Sequence, residues 1–460
     1  MQKNIILLFI LFPIIVFSQN WGTMGNGLSG NVVNCFYEDV NNDELYIGGI
    51  FSSIDNFQNN CIATWNGTEW NFISDGVNSN FYKVNAIIKY LDTLYIGGEF
   101  TGIGNNDTIR NIAKWNGNKW EYITEFNIGY ILDFKIINNE LYAFGGFNTF
   151  KNITANGLVK YNGVEWSNVY NLPNFSGIET NPNFVNEITS YQGEYYVGGN
   201  FHSNNPENEI NDIIKYNGTE WVSVGDGLKG SSAWVNKMVI YKGDLIVGGW
   251  FHKSDGNAGN NIMKWDGEKW SELFPSDSID LSSGQVMDLK VKNDELYISG
   301  SFGINGFGEK ILKWDGHNLC AFGGDFNNNV YSMGFYRDTL YIGCGTMIDT
   351  LQVNGIAKWI GGNDLDTCSV LQSVEEIKND LNNLIIYPNP TNGEFKIKLN
   401  TKTPTKTNIK IYNINGCKLF EKQFFQTNEI TINNIQFEKG IYFVKIETEK
   451  FVNTKKLIIN

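Results

Sequence analysis

The chain has 460 residues, more than one ordinary domain of about 100–200 residues holds, so it needs several folding units or one large repeat architecture. Aromatic residues make up 14% and charged residues 18%, with 49 glycines and 8 prolines, which disfavours helix and disorder and suits short strands joined by turns. The net charge of −14 is uneven: residues 384–460 carry twelve Lys against six Glu, leaving −20 on residues 1–383, an acidic body that repels nucleic acid and anionic lipid headgroups.

Residues 1–18 read as a secretory signal peptide, with Lys3, an apolar run from Ile5 to Phe17 and cleavage expected after Ser18. The run is shorter than the ~20 residues that span a bilayer, and no later segment could cross one as a helix, so no transmembrane helix is expected after cleavage.

From residue 19 one phrase recurs seven times. It begins as Leu45-Tyr-Ile-Gly-Gly-Ile-Phe51 and returns at Leu94, Leu141, Tyr195, Leu245, Leu296 and, degraded, Leu340, at intervals of 44 to 54 residues. Each copy is preceded by an alternating apolar run such as Val84–Tyr90. Each is followed by a segment such as Ile62-Ala-Thr-Trp-Asn-Gly-Thr-Glu-Trp70. Asn-Gly, Asp-Gly and Asn-Asp pairs between the runs supply the positive φ that tight hairpins require. The expected unit is an antiparallel meander of strands a, b, c and d, with the Gly-Gly in b. Repeats of this length stacked about an axis predict a seven-bladed β-propeller over residues 19–362, an open solenoid being the competing arrangement.

The seventh copy stops at Trp359-Ile-Gly-Gly362 without a strand d, whereas Trp21-Gly-Thr-Met-Gly-Asn-Gly-Leu28 aligns with the strand d segment Trp221–Leu228. The N-terminal strand is therefore expected to complete the last blade, leaving no open sheet edge.

After a linker at 363–383 the repeat disappears and Lys rises. Residues 384–460 predict short antiparallel strands at 395–399, 408–414, 418–425, 429–433, 440–448 and 453–459, a small Ig-like β-sandwich. The opening Tyr387-Pro388-Asn389-Pro390-Thr-Asn-Gly393, the central Ile411–Gly416, Gly440-Ile-Tyr442-Phe-Val-Lys-Ile446 and the terminal Lys455-Lys456 resemble the type A C-terminal sorting domain of the Bacteroidetes type IX secretion system. The resemblance implies the type IX machinery as partner, transport across the outer membrane, and a secreted or surface-attached product. The repeats are similar, at the level of fold only, to kelch-type blades and to fungal cortical polarity-marker ectodomains.

Six cysteines would enter an oxidising compartment, where bridges are permitted but their pairing is not readable. Their spacing matches no zinc site, and Asp39–Glu44 lacks the glycine of a calcium loop; no metal and no cofactor is expected. Three histidines, His202, His252 and His317, cannot converge, since His317 belongs to a c–d turn at the opposite face from the others. No catalytic set emerges.

Eleven of thirteen tryptophans recur at fixed places in strands c and d, as packing residues would. Trp234 and Trp250 fall off the pattern, at the same end of one a–b pair near His252, with Phe184 and His202 in similar places one repeat earlier. These five residues form the candidate ligand-contacting patch, for a glycan or a protein; packing between blades is the competing explanation. The leading functional reading is a recognition module. The alternatives are an extracellular carbohydrate-active hydrolase or lyase with carboxylates in the ring mouth, and a surface structural protein.

Overall fold

The computed structural model describes residues 20–361 and 384–459, except 59–60, 75, 79–82, 105–107, 125–128, 176–182, 203–209, 275–280, 304–309, 400–404, 414–417, 428, 434–436 and 449–451. The expected signal peptide at 1–18 and the expected linker at 363–383 lie outside the described residues. The chain divides into two compact units, Met1–Gln372 and Ser373–Asn460. The described residues are strand and turn throughout, apart from one 3₁₀ turn at Lys253–Asp255.

The described part of the first unit is built mainly of four-stranded antiparallel groups, numbered here as sheets 1 to 7; sheets 3 and 4 are joined through Gly146 and Phe184, a short strand Phe57–Gln58 extends sheet 1, and three two-stranded ribbons lie in the loops. Strands a to d are Leu28–Asp39, Glu44–Ile54, Ile62–Trp65 and Trp70–Asn71 in sheet 1, and Lys83–Tyr90, Thr93–Glu99, Ile112–Trp115 and Trp120–Tyr122 in sheet 2. Sheet 3 has Gly129–Ile137, Glu140–Phe147, Leu158–Tyr161 and Trp166–Asn168, and sheet 4 has Phe184–Tyr191, Glu194–His202, Asn211–Tyr216 and Trp221–Ser223. Sheet 5 has Trp234–Tyr241, Asp244–Trp250, Ile262–Trp265 and Trp270–Ser271, and sheet 6 has Val286–Lys292, Glu295–Gly300, Ile311–Trp314 and Leu319–Ala321. Sheet 7 takes Ser332–Tyr336, Thr339–Gly343 and Ile356–Trp359 from one end of the repeats and Trp21–Gly22 from the other, with Trp21 opposite Trp359.

The turns account for this regularity. At the a–b corners, paired positive-φ residues such as Leu91-Asp92, Asn138-Asn139 and Arg337-Asp338 fit the hairpin whose twist matches the strands. At the c–d corners, the Oδ1 atom of Asn66, Asn116, Asn162, Asn217, Asp266 or Asp315 accepts backbone amides two and three residues on, which closes each turn from within. The outer strands pack through cross-strand aromatic pairs, Trp65–Trp70, Trp115–Trp120 and Trp265–Trp270, with centroids 4.9, 5.2 and 5.0 Å apart.

Strand a of every sheet touches strand a of the next, and sheet 7 touches sheet 1, so the contacts run in a cyclic order. The Gly-Gly pair permits this closeness. A Cβ on Gly48 would stand 2.6 Å from Val84 of the neighbouring sheet, and one on Gly49 would stand 2.1 Å from the Val32 carbonyl oxygen. In sheet 3 the pair is displaced by one position to Gly145-Gly146, and Phe184 of sheet 4 fills the space over Gly146.

In the second unit, Leu384–Tyr387, Phe395–Leu399 and Glu429–Ile432 form one sheet, and Thr405–Asn413, Lys418–Thr427, Gly440–Thr448 and Val452–Ile459 the other. Phe395, Ile397, Ile409, Ile411, Val444, Ile446 and Leu457 share one core between them. The strand Leu384–Tyr387 was not anticipated, because the prolines after it read as turn throughout. The expected Asn415-Gly416 turn lies outside the described residues.

Candidate functional site

Strand a carries a bulge at the same place in six sheets. The register slips around Asn34, Asn85, Leu132, Asn186, Asn236 and Met287, leaving each without a partner on strand b. A bulge re-aims the side chain it frees. The four asparagines use this freedom to reach the next sheet: Asn34 Nδ2 donates to Val84 O at 3.4 Å, Asn85 to Ile131 O at 2.8 Å, Asn186 to Val235 O at 2.7 Å and Asn236 to Val286 O at 2.7 Å. Two further bonds continue the cycle. Met333 N donates to Asp288 Oδ2 at 2.8 Å, and Ser332 Oγ to Val33 O at 2.7 Å.

The six bulged positions, with Cys35, Asp133, Lys237 and Asp288 that follow four of them, line a cavity of about 250 Å³ among the inner strands. The residue after the bulge is charged in four consecutive sheets: Asp133, Glu187, Lys237 and Asp288. In sheets 1, 2 and 7 the residues at that register position are Cys35, Ala86 and Ser332. Lys237 is ion-paired to Asp133 and lies 3.6 Å from Glu187, which also takes Lys135 at 2.7 Å; Lys290 lies 3.7 Å from Asp288. Burial opposes charge on Lys237, but the carboxylates of Asp133, Glu187 and Asp288 outweigh it and raise its pKa, so it stays an ammonium ion. Burial pushes the Cys35 thiol up, and Asp133 adds to this, so the thiol is not a ready nucleophile. The cavity thus presents a protonated lysine and carboxylates paired with cations.

The aromatic candidates separate into two groups. Trp234 and Trp250 are cross-strand partners with rings stacked 5.7 Å apart at 13°, and His252 stands edge-on to Trp250 at 5.1 Å. All three are half-buried. The loop that follows is braced: Asn257 Nδ2 donates to His252 O and Lys229 O, and Asn260 Oδ1 accepts from Lys253 N. Phe184 instead turns toward sheet 3, against Gly146 and with its ring 6.3 Å from that of Tyr130, which makes it an inter-sheet packing residue. His202 ends its strand exposed, opposite Asn211. His317 lies in the Asp315 turn.

The charges that follow the strand a bulges were missed by sequence reasoning. Their signal was a charged residue interrupting strand a at one repeat position, next to a recurrent Val-Asn pair. Asp39 has an internal use: it accepts the Asn41 and Asn42 amides and pairs with Lys89 at 3.0 Å. Among the described residues no cluster of three or more His, Cys, Asp or Glu could hold a metal ion. Cys320 is disulfide-bonded to a partner outside the described residues.

In the second unit the Tyr387–Gly393 segment clamps the last strand. Asn389 Nδ2 donates to Lys456 O at 2.7 Å, Asn389 Oδ1 accepts Ile458 N at 2.9 Å, and Thr391 N donates to Ile458 O at 2.9 Å. Tyr387 donates to Glu429, which also pairs with Lys396. Gly440 pairs with Ile459, and the buried Tyr442 donates to Glu438 O. The Pro388 and Pro390 side chains are exposed, as is Lys456, while Lys455 is half-buried.

Residues 385–460 match the family of secretion system C-terminal sorting domains. No curated protein matches the chain. Among solved structures, the chain is similar to the extracellular domain of the hybrid two-component system BT3049 from B. thetaiotaomicron, at 13% identity and a TM-score of 0.49, over 96% of this chain and 57% of that one. It thus spans little more than half the length of that protein. It is also similar to the Bacteroides ovatus xyloglucan PUL GH43B, at 10% identity and a TM-score of 0.28, over 95% of this chain and 92% of that one.

Proposed function

We propose, from the premise that residues 385–460 are a type IX secretion sorting domain and the protein is secreted or displayed at the cell surface, that its first unit is a recognition module. In this reading the seven sheets are the blades of one closed propeller. The cyclic order of the inner-strand contacts and the Trp21 strand in the last sheet support it. So do the side-chain bonds from one strand a to the next. The signal peptide at 1–18 belongs to the same proposal, as the first of two export signals.

The observation that carries the recognition role is the Trp234–Trp250 stack with His252 edge-on, a large amphipathic surface left half-exposed at paired strand ends beside a braced loop. Aromatic anchors of this kind dominate binding energy where they are found. A hydrolase reading is weaker. The axial carboxylates Asp133 and Glu187 share Lys237, which places them near each other, but it also neutralises them, whereas glycoside hydrolysis needs one protonated and one free carboxyl group.

The test is binding to a glycan array, and protein pull-down from the native surface, by the wild-type chain and by Trp234→Ala/Trp250→Ala. Loss of the captured ligand in a variant that melts normally supports the reading. Unchanged binding rejects the patch.

A further inference from the structure

We infer that the axial cavity is the seat of a single neutral, hydroxyl-rich ring, the terminal sugar of a glycan whose next residue lies on the Trp234–Trp250 stack. The inference rests on the recognition reading and deepens it.

The first ground is charge balance. Three carboxylates, Asp133, Glu187 and Asp288, meet three lysines, Lys135, Lys237 and Lys290, so a charged ligand finds no unpaired countercharge and would lose its own hydration. The second is hydrogen-bonding capacity. Asn34, Asn186 and Asn236 donate their Nδ2 atoms to neighbouring strands, and nothing among the described residues donates to their Oδ1 atoms, although all three line the cavity. These are acceptors waiting for hydroxyl donors, and Lys237, with two carboxylate partners for three N–H groups, supplies a donor.

The third ground is shape. Polar side chains such as Asn34, Asn186 and Lys237 share the lining with the apolar Phe36, Ile87, Leu132, Met287 and Met333. A sugar ring has the same mixture, with hydroxyls at its edge and C–H groups on its face. A volume of about 250 Å³ is below the usual range of ligand pockets, roughly 300–1,000 Å³, and suits one ring rather than a chain. Trp234 lies two residues before the cavity-lining Asn236, about 7 Å along the same strand.

The test uses the full chain and calorimetric titration with glucose, galactose, mannose, xylose, arabinose and N-acetylglucosamine, and with their trisaccharides. The expected result is binding of at least one of these neutral monosaccharides, insensitive to salt. Met287→Trp, which fills the cavity from a bulged position without touching charges or the asparagine bonds, should weaken it at least about tenfold. Leu132→Trp, the same change in another sheet, serves if the first variant does not fold. Trp234→Ala/Trp250→Ala should weaken the trisaccharide and spare the monosaccharide. If no monosaccharide binds, or binding survives both cavity-filling variants, the inference is overturned. Trisaccharide binding that depends on the tryptophans alone would overturn it while leaving the recognition reading intact. Absence of all glycan and protein binding would end both.

Discussion

Trp21, near the start of the described chain, stands antiparallel to Trp359 with their rings 5.0 Å apart and donates its indole N–H to Gly323 O at 2.8 Å. A residue of one end of the repeats is thereby a core residue of the last sheet, 2% exposed and packed on Phe322 and Phe326.

Trp21→Ala should therefore destabilise the first unit by about 3–5 kcal/mol, since it empties a large buried site and leaves the Gly323 carbonyl without its donor. The urea midpoint of unfolding checks this. A change below about 1 kcal/mol would mean that the strand contributes little to holding sheet 7 together.

Asp212 accepts Phe201 N at 2.9 Å from the place where Asn111 and Asn261 accept Phe100 N and Phe251 N. Burial pushes its pKa up to about 7, against the lowering effect of that bond. The folded state thus prefers the neutral acid. Its stability contribution is full below the unfolded value near 3.8 and is lost as pH rises through about 7. Asp212→Asn should match wild type at pH near 4 and exceed it at pH near 8, by at most about 4 kcal/mol. Melting temperatures across that range decide it, and a difference independent of pH would show that Asp212 stays ionised.

Lys237→Met leaves Asp133 without its cation and Glu187 with Lys135 alone, at an expected cost of about 3–5 kcal/mol. Lys237→Met/Asp133→Leu should recover much of the loss, because it removes the stranded charge as well. A double-mutant cycle by urea denaturation reads the coupling directly, and additivity of the two changes would refute an axial ion-pair network.

Asn389→Ala removes two of the three bonds of the clamp, those to Lys456 O and Ile458 N, so the final strand should fray and export should fall. Cell fractionation would find the variant retained inside the outer membrane. Lys456→Ala, an exposed position that the clamp holds only by its backbone, should leave strand stability unchanged and so separate folding from recognition by the secretion machinery.

Local chemistry was legible along the chain. Seven copies of one strand b phrase, five of them with Gly-Gly, the Asn-Gly and Asp-Gly corners and the alternation of each run give the strands, their order and their pairing, because a hairpin is decided by residues a few positions apart. The sorting domain was legible for a related reason: its signature residues clamp the last strand, and the sequence pattern records that clamp. The Trp234–Trp250 pair was also visible, since both residues broke a repeat that was otherwise kept.

What only the tertiary structure decided lies between the sheets. That Phe184 points away from the patch depends on Gly146, 38 positions earlier. That Asp133 meets Lys237 depends on two sheets that are not neighbours in sequence, 104 positions apart. Periodicity says which residues share a sheet, but the direction of a bulged side chain and the charge it meets are set by chain closure, where distant segments pack at van der Waals contact.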